Sequence, residues 1–328
     1  MVLNIKSNKK IIICTDLNLD LKLYKIPKYL KSKIIKSNKF ELIDFDYKNP
    51  DCRKASIYWG NLIDDKRIKY LKKLEWIHLG SVGYDKIKNL KLLKSIKLTN
   101  SKKIMSDAVS ESIFNFIFIF LKRFDQCLQL RAQKKLNRKN FDEYFDQVKI
   151  MKDCNFLIFG GGDISRNLIN KLKYFTQNIS LVSSQSNFMN IKNYKIKDFK
   201  KKISNYDFII SILPNKPEYK NYFNLKFFKK MKKDSFFINV GRGSVVNEKD
   251  LIKSLSHKII AGAALDVFKN EPIKKTNPLF NFSNCLITPH TAGVFNNYWI
   301  EQEKLFLYNL KNFLNKKKLR NLVKFNRK

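Results

Sequence analysis

The sequence predicts the α/β class, with two domains that each contain a doubly wound parallel sheet. Short, almost continuous apolar runs alternate with segments long enough for helices, as expected when both faces of a parallel sheet are covered. The alternation occurs in two series, with a strongly apolar helix between them. A length of 328 residues also favours two ordinary domains.

The first series occupies about the first hundred residues. Its predicted strands are Lys10–Cys14, Glu41–Phe45, Ala55–Trp59, Trp76–Leu79 and Ile96–Thr99. A helix is then predicted from Ser106 to about Arg131, because this stretch contains the most apolar run of the chain, Ile113–Leu121. That run is far below the ~20 residues of a membrane span, so we expect a buried helix. Residues 132–144 are polar, lack a clear period and are predicted to form a loop or a frayed extension of the helix.

The second series begins at Asn155. Its predicted strands are Phe156–Phe159, Ile179–Ser183, Phe208–Leu213, Phe236–Val240, Ala261–Val267 and Cys285–Thr288. After the first of these strands, apolar residues recur at helical spacing from Ile164 to Phe175. Beyond the last strand, an amphipathic helix is predicted from about Asn297 to Leu314.

The formal net charge of +38 suggests a nucleic-acid or anionic membrane partner at face value. The lysines are spread along the whole chain, however, whereas nucleic-acid surfaces more often show clustered arginines with interleaved aromatics. We therefore expect no nucleic-acid or membrane partner. The charge could still draw anionic substrates toward the protein.

The cysteines and histidines indicate a protein of a reducing compartment without a metal site. Five scattered cysteines form no CxxC pair, and the chain has three histidines. The first apolar run, Ile11–Cys14, is too short for the core of a signal peptide. We expect a cytoplasmic protein.

A glycine turn at the end of Phe156–Phe159 suggests a dinucleotide site. Gly160-x-Gly162-x-x-Ser165 has the spacing of the dinucleotide fingerprint, with serine at the third glycine position. The first glycine allows a tight turn, and the second lets the backbone approach a pyrophosphate at the helix N-terminus, beside Asp163 and Ile164. A glycine-rich turn without a ligand is the alternative.

The second strand of such a domain should end in an acid that binds the adenosine ribose of NAD. Here the strand ends in Ser183, and the following Ser184-Gln185-Ser186 contains no acid. The serines could bind a ribose hydroxyl or a 2′-phosphate. The cofactor is therefore predicted to be NAD or NADP, with the choice left open.

Three polar side chains follow separate apolar runs later in the chain: Arg242, Glu271 and His290. A guanidinium fork can grip a carboxylate, and a histidine can move a proton on or off a neighbouring oxygen. Taken singly, a buried arginine is usually a structural ion-pair partner and a lone histidine a loop residue. The combination with the glycine turn predicts hydride transfer involving a keto acid.

These motifs resemble the D-isomer-specific 2-hydroxyacid dehydrogenases over nearly the whole chain. The blocks that carry the resemblance are Leu74–Asp85, Thr99–Ser101, Val109–Glu111, Ser211–Pro214, Asn239–Gly243, Ala261–Pro272 and Thr288–Gly293. The resemblance implies two Rossmann-like or flavodoxin-like domains with the active site in the cleft between them. Residues 1–100 and 295–328 would form the substrate domain, and residues 101–294 the nucleotide domain.

The resemblance also assigns roles to residues. Arg242 would bind the substrate carboxylate and keto oxygen, His290 would exchange the proton, and Glu271 would orient His290 and favour its imidazolium form. The loop of Ser81, Val82 and Gly83 would bind the substrate carboxylate. The nicotinamide side of the cofactor would lie near Leu213, Pro214, Val240, Gly241, Asp266 and Gly293.

The implied activity is NAD(P)H-dependent reduction of a small 2-keto acid, such as glyoxylate or hydroxypyruvate, to a D-2-hydroxy acid, or the reverse. A homodimer formed through the nucleotide domain is also implied. Two alternatives keep the same fold: an NAD(H)-sensing, corepressor-like binding protein, and a degenerate member with weak cofactor binding. His78 and His257 are expected to be structural.

Overall fold

Two compact units make up the chain, Met1–Met105 with Val294–Lys328 and Ser106–Gly293. The computed structural model describes residues 10–18, 21–84, 87, 96–184, 189–196, 199 and 203–323. Each unit contains one parallel sheet with helices between its strands, which confirms the predicted α/β class. Among the described residues, no helix has the length and apolar character needed to cross a membrane.

The first unit has a five-stranded sheet. In chain order its strands and helices are β1 (Ile11–Thr15), α1 (Lys28–Ile35), β2 (Phe40–Asp44), β3 (Ile57–Gly60), α2 (Asp65–Tyr70), β4 (Trp76–Leu79) and β5 (Lys97–Thr99). The strand order is β2-β1-β3-β4-β5, and all neighbours are parallel. Because parallel strands share one direction, the loops after β1, β3, β4 and β5 lie at one edge of this sheet.

The second unit has a seven-stranded sheet. Its elements are α3 (Ser106–Leu121), α4 (Phe124–Ala132), α5 (Arg138–Phe141), β6 (Phe156–Phe159), α6 (Asp163–Leu172), β7 (Ile179–Val182), β8 (Lys192–Tyr194), β9 (Phe208–Ser211), α7 (Leu225–Phe228), β10 (Phe236–Asn239), α8 (Glu248–Ser256), β11 (Gly262–Leu265) and β12 (Cys285–Ile287). The strand order is β12-β11-β10-β9-β6-β7-β8, again all parallel. The order reverses at β6, between β7 on one side and β9 on the other.

The last helix, α9 (Tyr298–Leu314), belongs to the first unit and covers one face of its sheet. The ring of Phe306 stacks on Trp59 at a centroid distance of 3.8 Å and lies 5.5 Å from Trp76. All three rings are fully buried. The apolar face of α9 therefore supplies part of the core that the strands of this unit cannot complete among themselves.

The predicted elements agree with the structure in most places. Every predicted strand is present with its ends within two residues of the prediction, and α9 begins one residue later than predicted. His78 lies in β4 and is buried, while His257 is the exposed C-cap of α8.

Three predictions of secondary structure were wrong. The helix expected from Ser106 to Arg131 is two helices, because Arg123 adopts a left-handed conformation (φ 50°) between α3 and α4. Residues 132–144, expected to be a loop or a frayed helix extension, contain the separate helix α5 and the start of a 3-10 helix, Asp142–Gln147. Strand β8 was missed because this partly exposed edge strand, Lys-Asn-Tyr, has no apolar run.

Candidate functional site

The residues expected to bind the cofactor and move the proton, apart from Glu271, follow the carboxyl ends of strands in the seven-stranded sheet. They are Gly160, Gly162, Asp163 and Ile164 after β6, Ser183 after β7, Leu213 and Pro214 after β9, Val240, Gly241 and Arg242 after β10, Asp266 after β11, and His290 and Gly293 after β12. Because the strands are parallel, all these positions lie along one edge of the sheet. Ligands of open α/β sheets bind at this edge, where the strand order reverses.

The glycine turn lies at that reversal. Gly160 has a φ of +109°, and a Cβ atom on it would lie 2.8 Å from the carbonyl oxygen of Ile212, which follows β9. Both the backbone conformation and the contact therefore require glycine. Gly162 is the N-cap of α6 and has no side chain to cap the helix. Because Gly162 provides no side-chain cap, this helix N-terminus is of the kind at which an anion such as a pyrophosphate binds.

Among the residues that the structure describes, none requires a glycine at position 162. A Cβ atom on Gly162 would meet no atom within 4 Å. The space in front of Gly162 is therefore open to a ligand that approaches the turn. This turn fits a dinucleotide on the evidence of its own geometry.

Ser165 fits the position at which the fingerprint usually has a third glycine. Its side chain is fully buried, and its hydroxyl donates a 2.5 Å hydrogen bond to the carbonyl oxygen of Gly160. The serine thus fastens the start of α6 to the end of β6. The departure from glycine does not disturb the packing of helix on strand.

At the end of β7, Ser183 is buried and its hydroxyl lies 3.3 Å from Asn193 Oδ1 on β8. No carboxylate side chain occupies this position. The sequence positions that follow, Gln185 and Ser186, lie outside the described residues. At the end of β7, Ser183 therefore supplies a hydroxyl group and Asn193 an amide group.

Arg242 lies on a tightly packed turn after β10. A Cβ atom on Gly243 would lie 1.9 Å from the backbone of Phe268, so this turn touches the segment after β11 directly. The backbone of Arg242 is fixed by Asn239, whose amide nitrogen donates to the Arg242 carbonyl oxygen (3.1 Å). Arg242 is partly exposed, and its Nη1 donates to the Gly241 carbonyl oxygen (2.8 Å).

Glu271 and His290 are joined directly. His290 Nδ1 lies 2.7 Å from Glu271 Oε2, and Glu271 Oε1 accepts a 3.0 Å hydrogen bond from the backbone N–H of Phe268. The backbone of Phe268 is also what the Gly243 turn touches. A continuous line of contacts therefore runs from the arginine turn through Phe268 and Glu271 to the histidine.

Asp266 anchors the loop that carries His290. Its Oδ1 accepts hydrogen bonds from the Thr288 hydroxyl (2.7 Å) and from the backbone N–H groups of Thr291 (2.7 Å) and Ala292 (3.0 Å). Asp266 is only 2% exposed, and this burial raises the pKa of its carboxyl group, while the three donors oppose the rise. Asp266 could be identified from the sequence and Thr288 was missed, although Asp266 follows β11 and Thr288 follows the neighbouring strand β12.

Ser81, Val82 and Gly83 follow β4 in the other unit. Three successive carbonyl oxygens of this loop are engaged: Ser81 accepts from the Ser101 backbone N–H (3.1 Å), Val82 from the Asn100 side chain (2.8 Å), and Gly83 from the Ser81 hydroxyl (2.9 Å). The loop is thus held in one conformation by its own unit. Sequence reasoning missed this role of Asn100.

Metal ligation finds no support in the described part of the chain. No group of three or more histidine, cysteine, aspartate or glutamate side chains there could hold an ion. All five cysteines are free thiols.

Comparison with known proteins gives a consistent result. Residues 117–292 match the family described as "D-isomer specific 2-hydroxyacid dehydrogenase, NAD binding domain". A probable 2-ketogluconate reductase from Dictyostelium discoideum is 28% identical over 232 residues, 70% of this chain and 69% of that protein. A glyoxylate reductase from Thermofilum pendens is 29% identical over 235 residues, again 70% and 69%.

A solved structure shares the fold. The NADPH-dependent glyoxylate/hydroxypyruvate reductase from Sinorhizobium meliloti, in complex with NADP and sulfate, superposes with a TM-score of 0.78 at 19% identity. The superposition covers 96% of this chain and 98% of that one.

Proposed function

Because the chain belongs to the D-isomer specific 2-hydroxyacid dehydrogenase family, an NAD(P)-dependent oxidoreductase family, we propose that it reduces a small 2-keto acid to a D-2-hydroxy acid and can run the reverse reaction. Glyoxylate and hydroxypyruvate are the proposed substrates. Relatives named for these substrates support the choice. Residues 106–293 would bind the nucleotide and the other unit the substrate.

The observation that carries the proposal is the His290–Glu271 pair in the unit that also holds the glycine turn. Its 2.7 Å contact occupies Nδ1 of the imidazole. Nε2 is then the nitrogen that serves the substrate. In the reduction, Nε2 donates its proton to the keto oxygen while the carbonyl carbon receives the hydride, so that a hydroxyl group forms.

The other residues of the chain bind and orient. The guanidinium of Arg242 would grip the substrate carboxylate and keep the keto oxygen polarised, since its planar fork matches paired oxygens. Backbone N–H groups of Val82 and Gly83 would bind the same carboxylate. Reduced nicotinamide, when bound, supplies the hydride. General acid catalysis of the kind proposed for His290 typically contributes ~10²–10⁴ in rate.

Either NAD or NADP fits the described residues. The turn of Gly160 and Gly162 would hold the pyrophosphate, and Asp266 would face the carboxamide of the nicotinamide. Because Ser183 stands where an NAD-selective site has an acid, we expect NADPH to be accepted. A preference for NADH above about a hundredfold would contradict this reasoning, since it corresponds to about 2.7 kcal/mol, close to the upper value for a hydrogen bond to a charged group, and Ser183 supplies no charge.

A cytoplasmic homodimer is also proposed. Five unpaired cysteines suit a reducing compartment. On the second unit, Phe118 (40% exposed) and Phe175 (47% exposed) form a contiguous apolar patch with Phe114. Such exposure commonly marks a surface that another chain covers. The high positive charge is proposed to attract the anionic substrate, not a nucleic acid.

The test is a panel of 2-keto acids, each incubated with NADH or NADPH, with cofactor oxidation followed by absorbance. The proposal predicts substrate-dependent oxidation with glyoxylate or hydroxypyruvate among the best substrates. Tight nucleotide binding without turnover on any 2-keto acid would favour the corepressor-like alternative. Failure to bind either reduced cofactor, measured by fluorescence titration, would favour a degenerate member.

A further inference from the structure

The loop of residues 288–292 is built around a single carboxylate. Asp266 Oδ1 receives one side-chain donor, from Thr288, and two backbone donors, from Thr291 and Ala292. The Asp266 carbonyl oxygen also accepts the backbone N–H of His290 (2.9 Å). Four of the loop's hydrogen bonds thus end on one buried residue, which is only 2% exposed.

This loop needs such an anchor because His290 has an unfavourable backbone conformation. Its φ is +56°, in the left-handed region that residues with a Cβ atom rarely adopt. A conformation of this kind persists only where the surroundings determine it, and it commonly occurs at functional sites. The direction of the imidazole, and hence its contact with Glu271, depends on keeping this backbone in place.

Thr288 is the only member of the anchor whose contribution depends on its side chain alone. Thr291 and Ala292 donate through backbone N–H groups, which any non-proline residue would supply. The Thr288 hydroxyl, in contrast, disappears with a single substitution. Its backbone N–H is separately bonded to the Leu265 carbonyl oxygen (3.0 Å), so the end of β12 stays paired without the hydroxyl.

We propose that Thr288 is a positioning residue: its hydroxyl fixes the Asp266 carboxylate, and Asp266 in turn holds the His290 loop in the conformation that presents the imidazole for proton transfer. This inference rests on the proposed role of His290 as the acid–base group. It extends that role by naming the side chain that keeps the histidine in place.

The test compares Thr288→Val, which removes the hydroxyl while keeping the shape, with Thr288→Ser, which keeps the hydroxyl. Thr176→Val is the matched control. Thr176 is a buried threonine of the same unit, 6% exposed, and its hydroxyl bonds the Lys152 carbonyl oxygen before β6, at the opposite edge of the sheet. It reports what the loss of a buried hydroxyl does to stability alone.

For Thr288→Val we expect kcat to fall about tenfold or more, as for losing one hydrogen bond to a charged group. The KM for the keto acid should change less than about twofold, since the substrate does not bind through this hydroxyl. The affinity for the reduced cofactor should fall less than kcat, because the hydroxyl reaches the nicotinamide site only through Asp266. Thr288→Ser should recover most of kcat. Amide hydrogen exchange in the peptide spanning residues 288–293 should quicken in Thr288→Val and remain close to wild type in Thr288→Ser.

Hydrogen exchange does not depend on turnover, so it separates this inference from the proposed function. If the wild-type enzyme reduced no 2-keto acid, the proposed function would fail, and the exchange of residues 288–293 would still decide the role of Thr288. Wild-type exchange and wild-type kcat in Thr288→Val would overturn the inference. An equal loss of kcat in Thr176→Val would also overturn it, since the effect would then be general destabilisation.

Discussion

Glu271 holds His290 through one carboxylate oxygen and is itself held through the other. Oε2 lies 2.7 Å from His290 Nδ1, and Oε1 accepts the backbone N–H of Phe268 at 3.0 Å. Both side chains remain partly exposed, at 36% for Glu271 and 52% for His290. The pair is therefore fixed in direction and open to a ligand, which is the combination that an acid–base group requires.

Glu271→Gln should retain the orientation of the histidine but lose the negative charge beside it. A hydrogen bond to a charged group is worth about 1.5–3 kcal/mol, so we expect kcat to fall roughly 10- to 150-fold. Cofactor affinity should not change, because Glu271 is assigned no contact with the nucleotide. Steady-state kinetics with fluorescence titration of the reduced cofactor measures both quantities. Unchanged kcat in this variant would mean that the carboxylate has no part in catalysis.

Gly160 and Gly162 should respond differently to alanine. Gly160→Ala places a Cβ atom at positive φ and 2.8 Å from the Ile212 carbonyl oxygen, so it should destabilise the protein by roughly 1–3 kcal/mol. Gly162→Ala meets nothing within 4 Å and should unfold like the wild type.

The affinity for the reduced cofactor should reveal an effect of Gly162→Ala that the stability measurement does not. We expect Gly162→Ala to lose at least tenfold in affinity although its stability is normal, because the added methyl group obstructs the approach of the pyrophosphate. Thermal unfolding and fluorescence titration give the two values. Wild-type affinity in Gly162→Ala would remove this turn from the nucleotide site.

His78 should make the first unit sensitive to acid. Its complete burial lowers its pKa from 6.5 to about 3, so the folded protein keeps the imidazole neutral. The unfolded chain takes up a proton as pH falls below about 6.5, and stability should decline from there by up to about 1.4 kcal/mol per pH unit, until the folded pKa is reached.

Tryptophan fluorescence can follow this effect, since all three tryptophans (Trp59, Trp76 and Trp299) lie in the first unit. Urea unfolding at a pH of about 7.5 and about 5 should show a loss of ~2 kcal/mol in the wild type. His78→Phe should show a smaller pH dependence, whatever its absolute stability. His257→Gln, which changes an exposed histidine of the other unit, is the control. An equal pH dependence in His78→Phe would contradict the assignment.

The proposed homodimer can be tested at an aromatic patch formed by Phe114, Phe118 and Phe175, whose ring centroids lie 5.8–6.1 Å apart. Phe175 is 47% exposed, and Phe175→Glu would place a charge in an interface built on this patch. Sedimentation velocity should then show a shift from dimer to monomer. Ile35→Glu, at a 51% exposed position of the other unit, should stay dimeric. A monomeric wild type would refute the proposal.

Much of the fold could be predicted because buried parallel strands are recognisable by their own composition. Phe156–Phe159 is a continuous apolar run, Phe236–Asn239 is apolar except for Asn239, and both strands are buried at every position. The break at Arg123 could not be foreseen, because the apolar pattern of α3 gives no sign of a left-handed residue beyond its end. Strand β8 is specified by its neighbour β7 and not by its own residues.

The candidate site was predictable at the positions that follow strands. Arg242, Asp266 and His290 come from adjacent strands, so their common edge could be inferred from a parallel order. The supporting contacts could not, because they join residues far apart in sequence through loop geometry. The bonds from Thr288 to Asp266 and from Asn100 to Val82 are examples.

Proton transfer by His290 is tested by the turnover of His290→Gln, with its cofactor affinity measured in the same preparation. We expect kcat to fall by ~10²–10⁴ while the reduced cofactor binds as in the wild type. A His290→Gln enzyme that reduces 2-keto acids at the wild-type rate would contradict it.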